Sequence, residues 1–166
     1  TFVANLYAAM EMPAQAGELY LEILDKEPEN FKAVLLLGTL YAQNRQYGKA
    51  REMLERLVRI DRSSHVGYYY LGKLYQELHE FDKALASYQQ ALALNWSAGL
   101  AFETADLYEK LNRYPEAVDL YREILSRDPT DERARGGLAG VYLQQGEPDL
   151  ALAELHELRG YTSDIQ

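Results

Sequence analysis

Residues 65–94 read HVGYYYLGKLYQELHEFDKALASYQQALAL, and the spacing inside this stretch decides the fold. Tyr68, Leu71, Gly72 and Tyr75 stand at i, i+3, i+4 and i+7, the pattern of a helix with one apolar side. Ala84, Tyr88 and Ala91 then form a second apolar stripe beyond a break around His79. The preceding stretch repeats the design with Val34, Leu37, Gly38 and Tyr41. After a break at Asn44-Arg45-Gln46 come Ala50, Leu54, Leu57 and Val58. The small residues Gly38 and Ala50 let two antiparallel helices approach closely, while Tyr41 and Leu54 fill the space beside them. One such hairpin cannot bury its own apolar face, so the pattern implies stacked neighbours.

The neighbours are present. Tyr7, Tyr41, Tyr75, Tyr108 and Tyr142 are separated by 34, 34, 33 and 34 residues. The same spacings relate Ala16, Ala50, Ala84, Ala117 and Ala151. They also relate the small residues Ala4, Gly38, Gly72, Ala105 and Ala139, and the large residues Tyr20, Leu54, Tyr88, Tyr121 and Leu155. Four columns in one register, sharing a one-residue deletion near Trp96, define an internal repeat.

In register, the chain resembles the tetratricopeptide repeat family, whose pattern runs W-x2-L-G-x2-Y, then A-x3-F, then P. Tyr68-Leu71-Gly72-Tyr75 with Ala84-Tyr88 matches it most fully, followed by Val34-Leu37-Gly38-Tyr41 with Ala50-Leu54. The fourth unit carries Ala105-Tyr108, Ala117-Tyr121 and Pro129; the fifth carries Leu138-Ala139-Tyr142 and Ala151-Leu155; the first keeps Tyr7, Ala16, Tyr20 and Pro28. Arg62, Trp96 and Ser163 replace the inter-repeat proline, so those junctions are expected to be less rigid than those with Pro28 and Pro129, and Ala101 and Arg135 replace the family's tryptophan. The resemblance implies an all-α fold, a right-handed superhelical α-solenoid of antiparallel helix pairs, in one domain over 1–166. Its repeats are expected at 1–30 (lacking the opening residues of its pattern), 31–64, 65–97, 98–131 and 132–166. Helices are expected at 1–11 and 13–26, 31–43 and 47–59, 65–78 and 81–93, 98–111 and 115–126, and 132–144 and 148–159.

Little in the sequence points to chemistry. With 26 acidic and 17 basic residues the net charge is −9, which repels phosphate backbones and anionic lipid, so no nucleic-acid partner is expected. No apolar run approaches the ~20 residues that span a bilayer, so no direct membrane insertion is expected either. Cysteine is absent, which removes disulfide and thiol chemistry. His65, His79 and His156 fall in different positions, and none has a second histidine at i+3 or i+4, whereas a zinc site needs three or four convergent ligands. Gly136-Gly137 and Gly140 follow no strand and precede no Lys-Ser/Thr, so they do not make a phosphate loop. Asn95-Trp96-Ser97 fits a glycosylation sequon and reads more simply as an inter-repeat turn. The expectation is a non-enzymatic chain without cofactor or metal.

The resemblance implies that the first helix of each repeat lines a concave groove. Mapped onto this chain, the groove positions include Asn5 and Ala8; Leu35, Thr39 and Ala42; Tyr69, Tyr70, Lys73 and Gln76; Phe102, Glu103, Asp106 and Glu109; and Gly136, Gly137, Gly140 and Leu143. Tyr69, Tyr70 and Phe102 are surplus to the core stripe, and are either candidate anchors for a partner or padding between adjacent helices. Glu103, Asp106 and Glu109, three apart, put negative charge on one helical face, which is either simply solvated or part of the groove. Gly136, Gly137 and Gly140 either lower the groove floor or mark a loss of packing in a terminal repeat. The implied ligand is a peptide or helix bearing basic and apolar residues. The carboxylate clamp of chaperone-binding members is missing, since Thr1, Val66 and Tyr70 stand in its slots beside Asn5. The asparagine ladder of the sugar-transferase members is also missing, its column reading Phe2, Leu36, Tyr70, Glu103 and Gly137. Alternatively the array is a structural spacer. Leu150, Leu152, Leu155 and Leu158 leave apolar surface at its end, so either end-to-end self-association or a further downstream segment is expected.

Overall fold

The computed structural model describes residues 12–163, with side chains described from Ala14 to Glu157 besides Met12. The helix expected at 1–11, and with it Asn5, Tyr7 and Ala8, lies outside the described residues. Nine α-helices and no strand occur among the rest: α1 (Pro13–Lys26), α2 (Phe31–Gln43), α3 (Tyr47–Ile60), α4 (His65–Glu77), α5 (Phe81–Leu94), α6 (Ala98–Lys110), α7 (Tyr114–Arg127), α8 (Glu132–Gln144) and α9 (Pro148–Ser163). The chain falls into two compact units that divide between Asn95 and Trp96. In the first, α2 pairs with α3 and α4 with α5, while α1 packs on α2 and α3 on α4. In the second, α6 pairs with α7, α8 with α9, and α7 packs on α8. None of the described helices is long and apolar enough to cross a membrane.

The two helices of each repeat begin differently. α2, α4, α6 and α8 are opened by Asn30, Ser64, Ser97 and Asp131, whose side chains accept the backbone N–H of Ala33, Gly67, Leu100 and Ala134. Each satisfies one of the donors that a helix start leaves without a partner. No side-chain cap opens α1, α3, α5 or α7. In the four hairpins of α2–α9, the turn before the second helix holds the chain instead. Arg45, His79, Asn112 and Gly146 adopt left-handed φ of 56, 57, 57 and 77°. One residue later, the N–H groups of Gln46, Glu80, Arg113 and Glu147 each donate across 2.8 Å to the carbonyls of Tyr41, Tyr75, Tyr108 and Tyr142. The residue in the left-handed conformation itself donates to Ala42, Gln76, Glu109 or Leu143. These paired bonds form a Schellman ending, repeated at every hairpin of α2–α9.

The core follows the columns. Ala16, Ala50, Ala84, Ala117 and Ala151 are all buried, as are Tyr20, Leu54, Tyr88 and Tyr121. A methyl group on Gly72 would meet the Tyr88 ring at 2.6 Å, so that residue must be glycine for α4 and α5 to pack as they do. The two departures at the family's tryptophan are closed. Ala101 is fully buried, and Arg135 is 9% exposed, its guanidinium donating to the Pro129 carbonyl and pairing with Glu154 at 3.2 Å. A buried stem with its charged head paired replaces the indole. Trp96, standing where the family has proline, carries the Arg127 guanidinium 4.1 Å above its ring.

Candidate functional site

Each unit presents part of the expected surface. In the first, Tyr69, Tyr70 and Lys73 come together on α4. The two tyrosine rings meet edge-on with centroids 5.2 Å apart, and the Lys73 ammonium lies 5.7 Å from the Tyr69 centroid. Tyr69 is half-buried beside Tyr88 at 6.3 Å, whereas Tyr70 is exposed. Gln76 accepts the Tyr88 hydroxyl at 3.0 Å, so it braces the core. On α2, the Thr39 hydroxyl is turned back onto the carbonyls of Leu35 and Leu36, both at 3.0 Å.

In the second unit α6 and α8 contribute jointly. Asp106 of α6 and Arg133 of α8 form an ion pair at 3.8 Å, and the same guanidinium sits 3.9 Å over the Phe102 ring. Of the two readings of Phe102, exposed anchor or padding between adjacent helices, its surroundings match the second: it is 5% exposed, because Arg133 covers it and Tyr121 packs beside it at 6.1 Å. Glu103 and Asp106 are exposed. Glu109 is half-buried and accepts the Tyr121 hydroxyl at 2.6 Å. Burial first, then that hydrogen bond and the charges of Glu109 and Asp106, push the Tyr121 hydroxyl well above the ordinary tyrosine range.

The three glycines of α8 divide by role. A methyl on Gly136 or Gly140 would meet nothing within 4 Å, so these two leave open space. A methyl on Gly137 would meet the Tyr121 ring at 2.5 Å. This glycine is therefore a close-packing contact between α8 and α7, and not a piece of groove floor. Leu143, on the same stretch of helix, is 57% exposed. The second-unit face thus consists of an acidic row on α6, an open backbone strip on α8, and an exposed leucine near the end of α8.

Sequence reasoning missed Arg133 and Tyr121 at this face. Arg133 lies three residues before Gly136 and seven before Gly140, so helical spacing alone places it on the same side. Tyr121 belongs to the core column and is buried there, and its hydroxyl also donates to Glu109. Among the described residues no group of three or more His, Asp or Glu side chains is arranged to hold a metal ion.

Comparison with known proteins gives a consistent picture. The family described as "Tetratricopeptide repeat protein 21 C-terminal ARM domain" matches residues 21–153. Anaphase-promoting complex subunit 3 of Schizosaccharomyces pombe is 24% identical over 98% of this chain and 24% of that protein. Tetratricopeptide repeat protein 21B of Homo sapiens is 27% identical over 63% of this chain and 8% of that protein. The chain therefore spans a quarter or less of the length of these relatives. Among solved structures, a crystal structure of MamA superposes with a TM-score of 0.79 at 23% identity, covering 98% of this chain and 95% of that one. A structure of YrrB, described as a TPR protein with an unusual peptide-binding site, gives 0.73 at 22% identity over 93% and 80%. These likenesses show the fold to be that of tetratricopeptide solenoids.

Proposed function

The chain belongs to the tetratricopeptide repeat protein 21 C-terminal ARM domain family, and we propose that it is a protein-interaction scaffold whose first helices seat a peptide or helix segment. One observation carries this reading: exposed Asp106 on α6, one turn from exposed Glu103, is ion-paired to Arg133 of α8, which lies on the helical side of the open positions Gly136 and Gly140. Backbone that is free of side chains lets a ligand approach closely. The carboxylates select a ligand with Lys or Arg, and Leu143 offers an apolar contact. In the first unit the exposed Tyr70, edge-on to Tyr69, supplies a rigid aromatic anchor of the type used at interfaces. The peptide-binding site named for YrrB supports the same kind of use.

Titration of a fluorescent peptide carrying Lys or Arg beside an apolar residue tests this. Tyr70→Ala should weaken binding by about 2 kcal/mol if the ring is an anchor. Asp106→Lys should slow association and flatten its salt dependence, since surface charge acts chiefly on encounter. Gln89→Ala, on α5, should change nothing. Equal affinity for all three variants would mean that the ligand does not use these faces.

A second reading, a spacer or oligomerisation segment, is favoured by one feature. Leu150, Leu152 and Leu155 of α9 are 46%, 53% and 40% exposed. Concentration-dependent light scattering distinguishes the two: end-to-end association would be abolished by Leu152→Glu and untouched by Asp106→Lys.

A further inference from the structure

The repeat offers its own internal standard for what fills each position, and one position is empty. The column Gly17, Arg51, Leu85 and Val118 recurs at the repeat spacing. Arg51 pairs with Glu80 and places its guanidinium 5.7 Å from the Tyr75 ring centroid. Leu85 and Val118 are 2% and 7% exposed. Gly17 has no side chain to offer. One turn further on stands the column Leu21, Glu55, Gln89 and Arg122. Glu55 accepts the Tyr75 hydroxyl at 3.1 Å, and Arg122 donates to the Tyr142 hydroxyl at 2.8 Å. Leu21 can do neither for Tyr41 and is left 50% exposed.

The result is an open cleft of about 550 Å³ between α1, α2 and the start of α3, lined by Gly17, Leu21, Leu40, Tyr41, Gln46 and Lys49, with Glu18 its one carboxylate. Its volume is in the range of sites that hold a ligand. Its charge also departs from the standard. Lys83, the counterpart of Lys49, is paired with Glu80 at 2.7 Å. The counterpart of Glu80 is Gln46, which is uncharged. Lys49 has its ammonium 5.3 Å from the Tyr41 ring centroid and makes no ion pair among the described residues.

We propose that this cleft docks a partner polypeptide presenting an aliphatic side chain next to a carboxylate. The aliphatic group takes the place that Leu85 and Val118 fill in their own repeats, against Leu21 and Leu40. The carboxylate gives Lys49 the ion pair that Glu80 gives Lys83. The site lies on other helices than the α6–α8 face and stands or falls independently of it.

Gly17→Leu supplies the missing side chain from within. A Cβ at Gly17 would lie 3.5 Å from Leu40 Cδ2, an ordinary contact, and leucine favours a helix over glycine, so the variant should fold and melt at or above the parent temperature. The probe is a short fluorescein-labelled peptide with a central Leu-Asp pair in a neutral polar background, titrated against the full chain beside its Ala-Asp and Leu-Lys versions. The parent chain should bind Leu-Asp about tenfold better than either version. Gly17→Leu should lose that binding by about tenfold or more, and Lys49→Glu should prefer Leu-Lys over Leu-Asp. Equal binding of the three peptides, or undiminished binding of Leu-Asp by a folded Gly17→Leu chain, would overturn the proposal.

Discussion

Leu54 on α3 and Leu155 on α9 are the same residue at the same position of the repeat, yet they are 1% and 40% exposed. Within its hairpin Leu54 lies against Gly38 of α2, and α4 packs on α3 in the same unit. Leu155 has α8 on one side, and no described helix follows α9. The column therefore prescribes a residue suited to burial, and a stacked neighbour decides whether burial happens. An array of this kind is stabilised through its interfaces, repeat by repeat. The same lesson applies to side chains that point between repeats: Arg51 finds Glu80, and Gly17 leaves a cleft.

The largest expected contrast comes from truncating the two leucines. Leu54→Ala should destabilise by about 2–5 kcal/mol, the usual range for emptying a core site. Leu155→Ala should stay within about 0.5 kcal/mol, as surface changes do. Urea unfolding followed by helical circular dichroism measures both, and equal losses would break the comparison. The glycines of α8 sharpen it within one helix. Gly137→Ala should destabilise by about 1–3 kcal/mol, because the methyl meets the Tyr121 ring. Gly136→Ala and Gly140→Ala should each stabilise by up to about 1 kcal/mol, since open space receives the methyl and alanine favours the helix.

Alkaline pH provides a third test, at the α3–α4 junction. Burial, then the hydrogen bond to Glu55, raises the Tyr75 hydroxyl from 10.0 to about 12. Below pH 10.0 both folded and unfolded chains hold the proton, and the contribution is complete. Between 10.0 and about 12 the unfolded chain releases it while the folded ring retains it, so stability falls across that interval. Tyr75→Phe should make this part of the loss disappear from the pH profile of unfolding. The smallest effect belongs to the turns. Arg45→Gly and His79→Gly relieve a left-handed conformation that L side chains disfavour, and each should stabilise by under about 1 kcal/mol. Gly146 already occupies that position between α8 and α9, so the turns most distant from glycine have the most to gain.

The helices of α1–α9 were legible to within a few residues because periodicity, small columns and breaks all recur four or five times in register. α9 runs four residues beyond its expected end, to Ser163, as the boundary there had no repeat after it for reference. The turn residues were less legible. Arg45 and His79 give no glycine signal, and their φ is imposed by the hydrogen bonds that close the Schellman ending. At the candidate site the acidic row was readable, since i, i+3 spacing puts Glu103 and Asp106 on one face. The burial of Phe102 was not, because it depends on Arg133 reaching from the next repeat.

The sequence by itself determined the period, the helical hairpins, the family and the residue class demanded at each column, since these follow from local spacing repeated many times. Only the tertiary structure decided which residues of a column are covered. It separated Gly137, pressed on Tyr121, from Gly136 and Gly140, which face open space. It hid Phe102 under Arg133 and opened a cleft beside Gly17. Each of these depends on a side chain brought in from another helix or repeat, and such meetings are set by how helices stack rather than by spacing along any one of them.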